Sequence, residues 1–434
     1  MESTFGDLLP RCQKYIAQHY AAALADHEKF SQLRSYIEKY LRETDSGVQG
    51  LSMTEVTDKL YREMAEYSVL TPYFNREDVE EINVNAWNDI AITYVDGRIE
   101  KTAESFMSPQ HAVDIIKRLL HHSGMVIDTA TPMAQGHLPG HTRITALMMP
   151  IVDNTAGISA SIRLLHPSRV TKEQLIRAGS ATPEMIDFLC VCLRYGVSMI
   201  VAGATSSGKT TLLNALLGTI PDEKRIYTIE SGSRELSLVR DRDGKPTNNI
   251  IHTLSRPSDS DAFDITQEDL VVSSLRFNPG LIVVGEMRDI EAYAAVEASL
   301  TGHTVASTIH SGPAAAAHLR LTMLCEKRFD LDFTIAKMQA AQAFPLIVYT
   351  HQLEDATRKI MDISECTVDG NGLCTYRTIY RYVIDENTLK DGKTVITGHF
   401  ESPEPISDEL CARLLRFGAP REQIERFRKG GASH

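Results

Sequence analysis

The segment Gly203-Ala-Thr-Ser-Ser-Gly-Lys-Thr210 constrains this chain more than any other. It fits G-x-x-x-x-G-K-[ST], and both flanks have the character that the pattern demands. The apolar run Val197-Ser-Met-Ile-Val-Ala202 before it predicts a buried strand. Thr211-Leu-Leu-Asn-Ala-Leu-Leu217 after it predicts a helix ending at Gly218. Gly203 and Gly208 let the backbone curl until the amides of Ala204, Thr205, Ser206 and Ser207 face one point, and the helix N-terminus that carries Thr211 adds to the same field. Such a nest suits phosphate: Lys209 would reach the β- and γ-phosphates, and the Thr210 hydroxyl would bind Mg²⁺. An ordinary glycine-rich turn is the competing reading, and the strand before with the helix after disfavours it.

From residue 183 onward apolar segments at 198–202, 226–229, 281–284 and 304–309 are separated by helical stretches. Continuous apolar strands of this kind predict an α/β fold, a mainly parallel sheet with helices on both faces. Ligands of such sheets bind at the carboxyl ends of the strands. The strands end at Glu230, at Glu286 with Arg288 and Asp289 just beyond, and at His310. Glu286 is the best candidate for polarising an attacking water and for a Mg²⁺ contact, because an acid closing an apolar strand is the Walker B arrangement. A plain solvated carboxylate is the alternative. Glu230 and Glu235 are weaker candidates, since acids are common in loops. His303 and His310 stay open between sensing a γ-phosphate and packing; a metal role lacks an accompanying Cys, His or carboxylate cluster. Arg256, Arg276 and Arg288 lie near these motifs, and Arg143 and Arg163 on earlier strands. Each suits neutralisation of a γ-phosphate, a device of large effect when it crosses a subunit boundary; the default for a lone arginine is a solvated surface group. No Asn-Lys-x-Asp follows the loop, which disfavours a GTPase.

At 434 residues, 43% hydrophobic and 24% charged, the chain has material for two or three domains and is not disordered. No 18-residue apolar window exists; the richest region, 185–204, is broken by Asp187 and Arg194. The N-terminus has neither a basic nor an apolar stretch of the kind a secretory signal needs. Seven cysteines without Cys-x-x-Cys point to a reduced, cytoplasmic protein. A net charge of −12 argues against nucleic acid as a partner and against direct attachment to anionic lipid.

The expected organisation is an N-terminal helical segment 1–50, a small α+β domain 51–165, a linker 166–182 with one short helix, and a nucleotide domain 183–434. Three- and four-residue spacing of Leu9, Cys12, Ile16, Leu33, Ile37 and Leu41 predicts helix over 9–44, its apolar face packed on the chain itself in preference to a partner. Ser52 and Glu55 form a capping-box pattern for a helix running to about Leu70 and stopped by Pro72. Strands are expected at 82–84, 90–95, 98–101, 142–150 and 157–165, with a helix capped by Ser108 between them. Further strands are expected at 345–352, 358–368 and 373–383, with closing helices at 407–417 and after Pro420. The alanines 314–317 are read as close packing within a helix.

Several more ordered segments accompany these. In the first part they are Glu81-Ile-Asn-Val-Asn85, Asp96-Gly-Arg98, the stretch 128–133, Arg143 in Thr-Arg-Ile-Thr-Ala, Arg163 in Ser-Ile-Arg, and Ser180-Ala-Thr-Pro-Glu-Met185. In the second they are Thr228-Ile-Glu230 with Glu235-Leu236, Ser255-Arg256-Pro257, Thr266-Gln-x-Asp-Leu270, Leu275-Arg276-x-x-Pro279, Leu281-Ile-Val-Val-Gly-Glu286-Met-Arg288, and Thr301-Gly-His303 through Ser307-Thr-Ile-His310. With the phosphate loop, they make nearly the whole chain resemble the secretion ATPase superfamily of type II and type IV secretion and pilus motors. The similarity is greatest to the CpaF branch, which drives Tad/Flp pilus assembly. The resemblance implies a RecA-like P-loop ATPase domain behind the α+β domain, with ATP and Mg²⁺ bound between the two domains of each subunit. It implies a homohexameric ring whose ATP-driven domain motions power a pilus or secretion platform, peripheral to the inner membrane through that platform protein. It also implies that Arg143 and Arg163 reach toward the phosphates, that Arg256 lies in the arginine loop, and that Lys209, Glu230, Glu286 and His310 serve hydrolysis. One departure stands out: Ser231 occupies the place of the family's Asp after Ile-Glu. A serine brings no charge, which motivates an alternative, a nucleotide-gated assembly scaffold with negligible hydrolysis. The stretch 241–249 also resembles an enlarged loop. A DNA motor is disfavoured by the net charge.

Overall fold

A computed structural model describes residues 4–428 except 21–29, 122, 139–141, 165–169, 233, 257–263, 328–331, 371 and 391. The chain forms two compact units, residues 1–166 and 167–434.

The first unit begins with the helices Phe5–His19, Phe30–Glu43 and Met53–Ala65. Leu8, Leu9, Cys12 and Ile16 of the first bury themselves against Leu33, Ile37 and Leu41 of the second and Val56 and Leu60 of the third. The apolar face of the first helix is therefore covered by the chain itself. Of the helix expected over 9–44, residues 21–29 lie outside the described residues. The capping box forms as its sequence demands: Ser52 Oγ accepts from Glu55 N at 3.3 Å, and a Glu55 carboxylate oxygen accepts from Ser52 N at 2.8 Å. The helix does not reach Leu70: it stops at Ala65, where Glu66 turns to an extended conformation. Pro72 instead stands at the start of the short turn Thr71–Phe74, where its missing N–H costs nothing.

Six strands follow: β1 (Val79–Ala86), β2 (Asp89–Tyr94), β3 (Ile99–Lys101), β4 (Met133–Leu138), β5 (Thr142–Met148) and β6 (Ile158–Leu164). They form one antiparallel sheet in the order β3-β2-β1-β6-β5-β4. β4 escapes sequence reading because Gly136 interrupts it. That glycine packs on Met125, whose Sδ would lie 2.2 Å from an added Cβ. One face buries Ile82, Val84, Ile92, Ile144 and Ile162 against Ile115, Ile116, Leu119 and Leu120 of the helix Pro109–His121. Burial alternates strictly along β5 and β6, so the other face carries Arg143, Thr145, Ser159, Ser161 and Arg163, with Leu147 its one apolar residue from these two strands.

The second unit contains β7 (Met199–Gly203), β8 (Ile226–Ser231), a two-residue hairpin β9 (Asp241–Arg242) and β10 (Lys245–Pro246), β11 (Ile250–Ser255), β12 (Leu281–Met287), β13 (Val305–His310), β14 (Leu346–Gln352), β15 (Arg358–Val368), β16 (Cys374–Lys390) and β17 (Lys393–Glu401). Apart from β9 and β10, these make a nine-stranded sheet in the order β11-β8-β12-β13-β7-β14-β15-β16-β17. It is parallel from β11 to β14 and antiparallel from β14 onward. The stretch read as an enlarged loop holds the β9–β10 hairpin and leads into β11, an edge strand too polar to be seen as apolar sequence.

The period of two in these strands feeds two cores. Met199, Val201, Leu281 and Val283 pack with the helices Pro183–Arg194, Lys209–Leu217, Asp408–Arg416 and Arg421–Arg428. Ile200, Ala202, Ile282 and Val284 pack with Glu291–Leu300, Ala314–Glu326 and Phe333–Ala343, where Ala317 is fully buried. The short helix Lys172–Arg177 sets Leu175 and Ile176 against the first of these cores, so the stretch expected to be a linker folds with the second unit. Among the described residues no helix is long and apolar enough to cross a membrane.

Candidate functional site

Strand β7 lies between β13 and β14, and the loop that leaves it opens at the carboxyl edge of the parallel region. The loop folds back so tightly that a Cβ on Gly203 would lie 2.4 Å from Ser207 Oγ and 2.5 Å from the Thr350 carbonyl oxygen. Ser207 Oγ stands 3.0 Å from Thr350 Oγ1, and Thr350 Oγ1 donates to the Ala202 carbonyl at 3.2 Å. Gly208 takes φ 90° and leads into the helix Lys209–Leu217, whose first turn has no side-chain cap. Its orphan amides and the exposed Ala204, Thr205 and Ser206 leave a cradle of the shape and polarity that phosphate requires. Thr210 and Thr211 sit half-buried on that first turn. Lys209 is 7% exposed and its Nζ donates to the Ala204 carbonyl at 2.7 Å.

Two neighbouring strands bring residues of their carboxyl ends to this point. Lys209 Nζ lies 3.4 Å from His310 Nδ1, and His310 Nε2 lies 3.2 Å from a Glu286 carboxylate oxygen. An ammonium can only donate, so the network assigns the imidazole proton to Nε2, which donates to Glu286. Burial and the Lys209 charge lower the His310 pKa, against the opposing pull of Glu286. Arg288 Nη1 stands 4.0 Å from the other Glu286 oxygen, and Arg288 Nη2 donates to Ser231 Oγ at 2.9 Å. Glu291 fixes this turn by accepting from the backbone N–H groups of Arg288 at 2.7 Å and Asp289 at 2.9 Å. The register between β12 and β13 slips beside Glu286, and there Thr308 Oγ1 donates to the Gly285 carbonyl at 2.7 Å. A continuous row results: Lys209, His310, Glu286, Arg288, Ser231.

Glu230 belongs to the same edge but in a different environment. It is 4% exposed, and its Oε1 accepts from the N–H groups of Glu235 at 2.7 Å and Leu236 at 3.0 Å. Its Oε2 is buried with no partner among the described residues. Burial raises its pKa to about 7 despite those two hydrogen bonds. Gly285 makes room for it, since a Cβ there would meet Glu230 Cγ at 3.1 Å.

The remaining candidates divide by position. Arg256 follows Ser255, which pairs with Ser231, so it lies at the site's edge; Pro257 is outside the described residues. Arg276 falls in the turn Leu275–Phe277 ahead of β12, at the opposite edge of the sheet, where the Phe277 carbonyl accepts from Arg225 at 2.8 Å. His303 precedes β13 at that far edge too. Neither joins the row within one chain, because a strand's length separates the two edges. Arg143 and Arg163 face each other across β5 and β6 on the polar face of the first unit. Glu81 lies opposite Arg163 and His137 opposite Arg143, so the sheet carries the row Glu81, Arg163, Arg143, His137. Burial first, and Arg143 second, depress His137 to about pKa 4.

Sequence reading missed Thr350, the Arg288–Ser231 bond and Arg358, whose Nε donates to the Ser206 carbonyl at 2.8 Å. Thr350 was findable: it follows the apolar run of β14 as Glu286 and His310 follow theirs. The other two depend on distances that no local pattern encodes.

A phosphate loop on a central strand, with an acid and a histidine closing the next strands, defines a P-loop protein of the RecA-like class. Residues 69–381 match the model of the family described as Type II/IV secretion system protein, and the chain belongs to that family. An uncharacterized protein of Methanocaldococcus jannaschii is 29% identical over 332 residues, 72% of this chain and 57% of its own length. The type IV secretion system protein PtlH of Bordetella pertussis is 28% identical over 322 residues, 68% of this chain and 92% of its own. Among solved structures, the Legionella pneumophila ATPase DotB is similar at 20% identity and a TM-score of 0.48, covering 82% of this chain and 85% of that one.

Proposed function

We propose that the protein is an ATP-hydrolysing ring motor of a secretion or pilus-assembly apparatus, CpaF-like in type, acting as a homohexamer at the inner membrane through a platform protein. The observation that carries this reading is the row Lys209, His310, Glu286, gathered at the carboxyl edge of three adjacent strands. The loop amides and Lys209 hold the β- and γ-phosphates, and the Thr210 hydroxyl with Glu286 would hold Mg²⁺. When bound, that ion offsets phosphate charge. Glu286 orients the attacking water and takes up its proton, and the neutral His310 donates to Glu286 and keeps its carboxylate aimed. Glu230 holds the backbone of Glu235 and Leu236 in place through two amides and serves hydrolysis by fixing that wall of the site. Arg143, Arg163 and Arg256 supply cationic charge toward the phosphates. Arg276, on the far edge, reaches a phosphate only in a neighbouring subunit, a role that a ring provides. The match to a family of secretion proteins and the name of the Bordetella relative support the assignment to secretion.

A second reading, a nucleotide-gated scaffold with negligible turnover, is favoured by one observation: Arg288 bonds a serine hydroxyl at position 231. Both are tested by Mg²⁺-dependent phosphate release from ATP on size-separated monomer and oligomer, for wild type and Glu286→Gln. Turnover confined to the oligomer, and reduced roughly 10²–10⁴-fold by the substitution with ATP binding retained, supports the motor. ATP-dependent assembly without turnover in either protein supports the scaffold.

A further inference from the structure

The hairpin β14–β15 holds two consecutive residues of the phosphate loop. One arm provides Thr350, whose hydroxyl meets Ser207 Oγ at 3.0 Å. The other begins with Arg358, whose Nε donates to the Ser206 carbonyl at 2.8 Å. Ser206 is where the loop is most strained, a non-glycine residue at φ 61°. The Arg358 side chain runs along the loop as far as Gly208, whose added Cβ would lie 3.4 Å from Arg358 Cδ. The platform beneath is itself braced. Arg358 pairs with Gln352 across the hairpin, and Asp355 in the turn accepts from Thr357 N at 3.0 Å, Thr357 Oγ1 at 2.7 Å and Ile396 N at 3.3 Å. Among the described residues no carboxylate pairs with Arg358, so its charge stays beside the loop.

We propose that Arg358 is a positioning residue for nucleotide binding: its charged hydrogen bond to the Ser206 carbonyl holds the phosphate loop in its phosphate-accepting shape before the ligand arrives. This rests on the reading that the loop binds nucleotide. A preformed loop binds ground state and transition state alike, so the contribution lies in affinity and not in the chemical step. It acts on the polyphosphate and is blind to the base and sugar. A lysine at 358 can donate to the same carbonyl, though without the planar fork that arginine presents.

The test measures dissociation constants for ATP, ADP and inorganic tripolyphosphate, each with Mg²⁺, on the full chain as wild type, Arg358→Ala, Arg358→Lys and Thr350→Val, with steady-state ATP hydrolysis alongside. Arg358→Ala is expected to weaken all three ligands by a similar factor, roughly tenfold, the value of one charge-assisted hydrogen bond to a backbone carbonyl. KM rises by about that factor while kcat stays within roughly twofold. Arg358→Lys recovers most of the loss, and Thr350→Val gives the same pattern more weakly. Unchanged affinities in Arg358→Ala overturn the inference, as does a loss seen with ATP and ADP but not with tripolyphosphate, which would make Arg358 a nucleoside contact. A loss carried by kcat with KM unchanged overturns it too. Failure of the wild-type chain to bind any of the three overturns the nucleotide reading itself and the inference with it.

Discussion

The two sheets of this protein place polar chemistry in different ways. In residues 1–166 the sheet has one covered face, and β5 and β6 show a buried and a half-buried side chain in turn. In residues 167–434 the central strand β7 is buried throughout, and β8 and β13 are buried at every residue but the last. A sheet covered on one side can carry polar groups anywhere along its open face. A sheet covered on both can carry them only where the strands run out. Thr145 and Ser161 accordingly stand in mid-strand on the open face, while Glu286 and His310 lie at or next to the ends of their strands. The sharpest way to break this contrast is to put one charge in mid-strand on each sheet. Val283→Asp leaves an unpaired carboxylate in a core that is fully buried, at a cost on the order of 5 kcal/mol, a large share of a domain's stability. Thr145→Asp, on the open face of β5, is expected to cost less than about 1 kcal/mol. Soluble yield and urea midpoints of the two variants decide it; similar losses would mean that the open face is not open.

Glycines sharpen the contrast at the strand ends, where the second unit has its site. At Gly203 the neighbours of an added Cβ are Ser207 Oγ at 2.4 Å and the Thr350 backbone at 2.5 Å. Backbone cannot swing away, so Gly203→Ala should disrupt the loop at a cost of about 3 kcal/mol and abolish detectable ATP binding. Calorimetric titration and the thermal midpoint measure the two effects; retained ATP affinity would show that the loop tolerates a wider turn. A smaller effect is expected from Glu230→Gln, and it depends on pH. The folded-state pKa of about 7 exceeds the ordinary carboxyl value of 4.5, so the folded protein binds the proton more tightly than the unfolded chain does. The favourable contribution is complete below about pH 4.5 and is lost as the pH rises through about 7. Glutamine stays neutral, so Glu230→Gln should gain stability relative to wild type across that window, by on the order of 2 kcal/mol. Parallel stability curves for the two proteins against pH would place the Glu230 titration elsewhere.

The same contrast governs what the sequence disclosed. Continuous apolar runs made β7, β8, β12, β13 and β14 legible, and with them the residues that end them, because burial on both faces leaves no ambiguity of period. Edge strands β11 and β17 went unseen, being only partly covered, and so did β4, broken by Gly136. The helix start at Ser52 was legible because a capping box is local, and its early end was not, because Glu66 turns extended without a glycine or proline to announce it. Within the site, Lys209, Glu286 and His310 could be named from position alone. That Arg288 would meet Ser231, that Glu230 would spend one oxygen on two amides, and that Arg276 would lie at the far edge required the crossing order of the strands, which no local pattern contains.

The smallest effect concerns the open face itself. Arg143 and Arg163 stand directly opposite on β5 and β6, a like-charge pairing that a sheet normally avoids. His137, across from Arg143 on β4, senses it: burial and then Arg143 hold its pKa at about 4. Arg143→Ala removes the lesser cause, so the His137 pKa should rise and yet stay below its ordinary 6.5. Arg163→Ala acts from one strand farther, about 5 Å more, and should move it less. Imidazole proton shifts followed by NMR against pH measure both. Recovery to 6.5 in Arg143→Ala would make charge, and not burial, the main cause; no movement would mean that the row is not electrically continuous. The sign also reports on function. Under the role proposed for Arg143 and Arg163, a polyphosphate would bring negative charge beside His137 and favour its protonated form, so Mg²⁺-ATP should raise the His137 pKa in wild type, and less so when Arg143 is gone. A lowered or unmoved value under saturating nucleotide would overturn the proposed role of these two arginines and leave their pairing as a feature of the sheet alone.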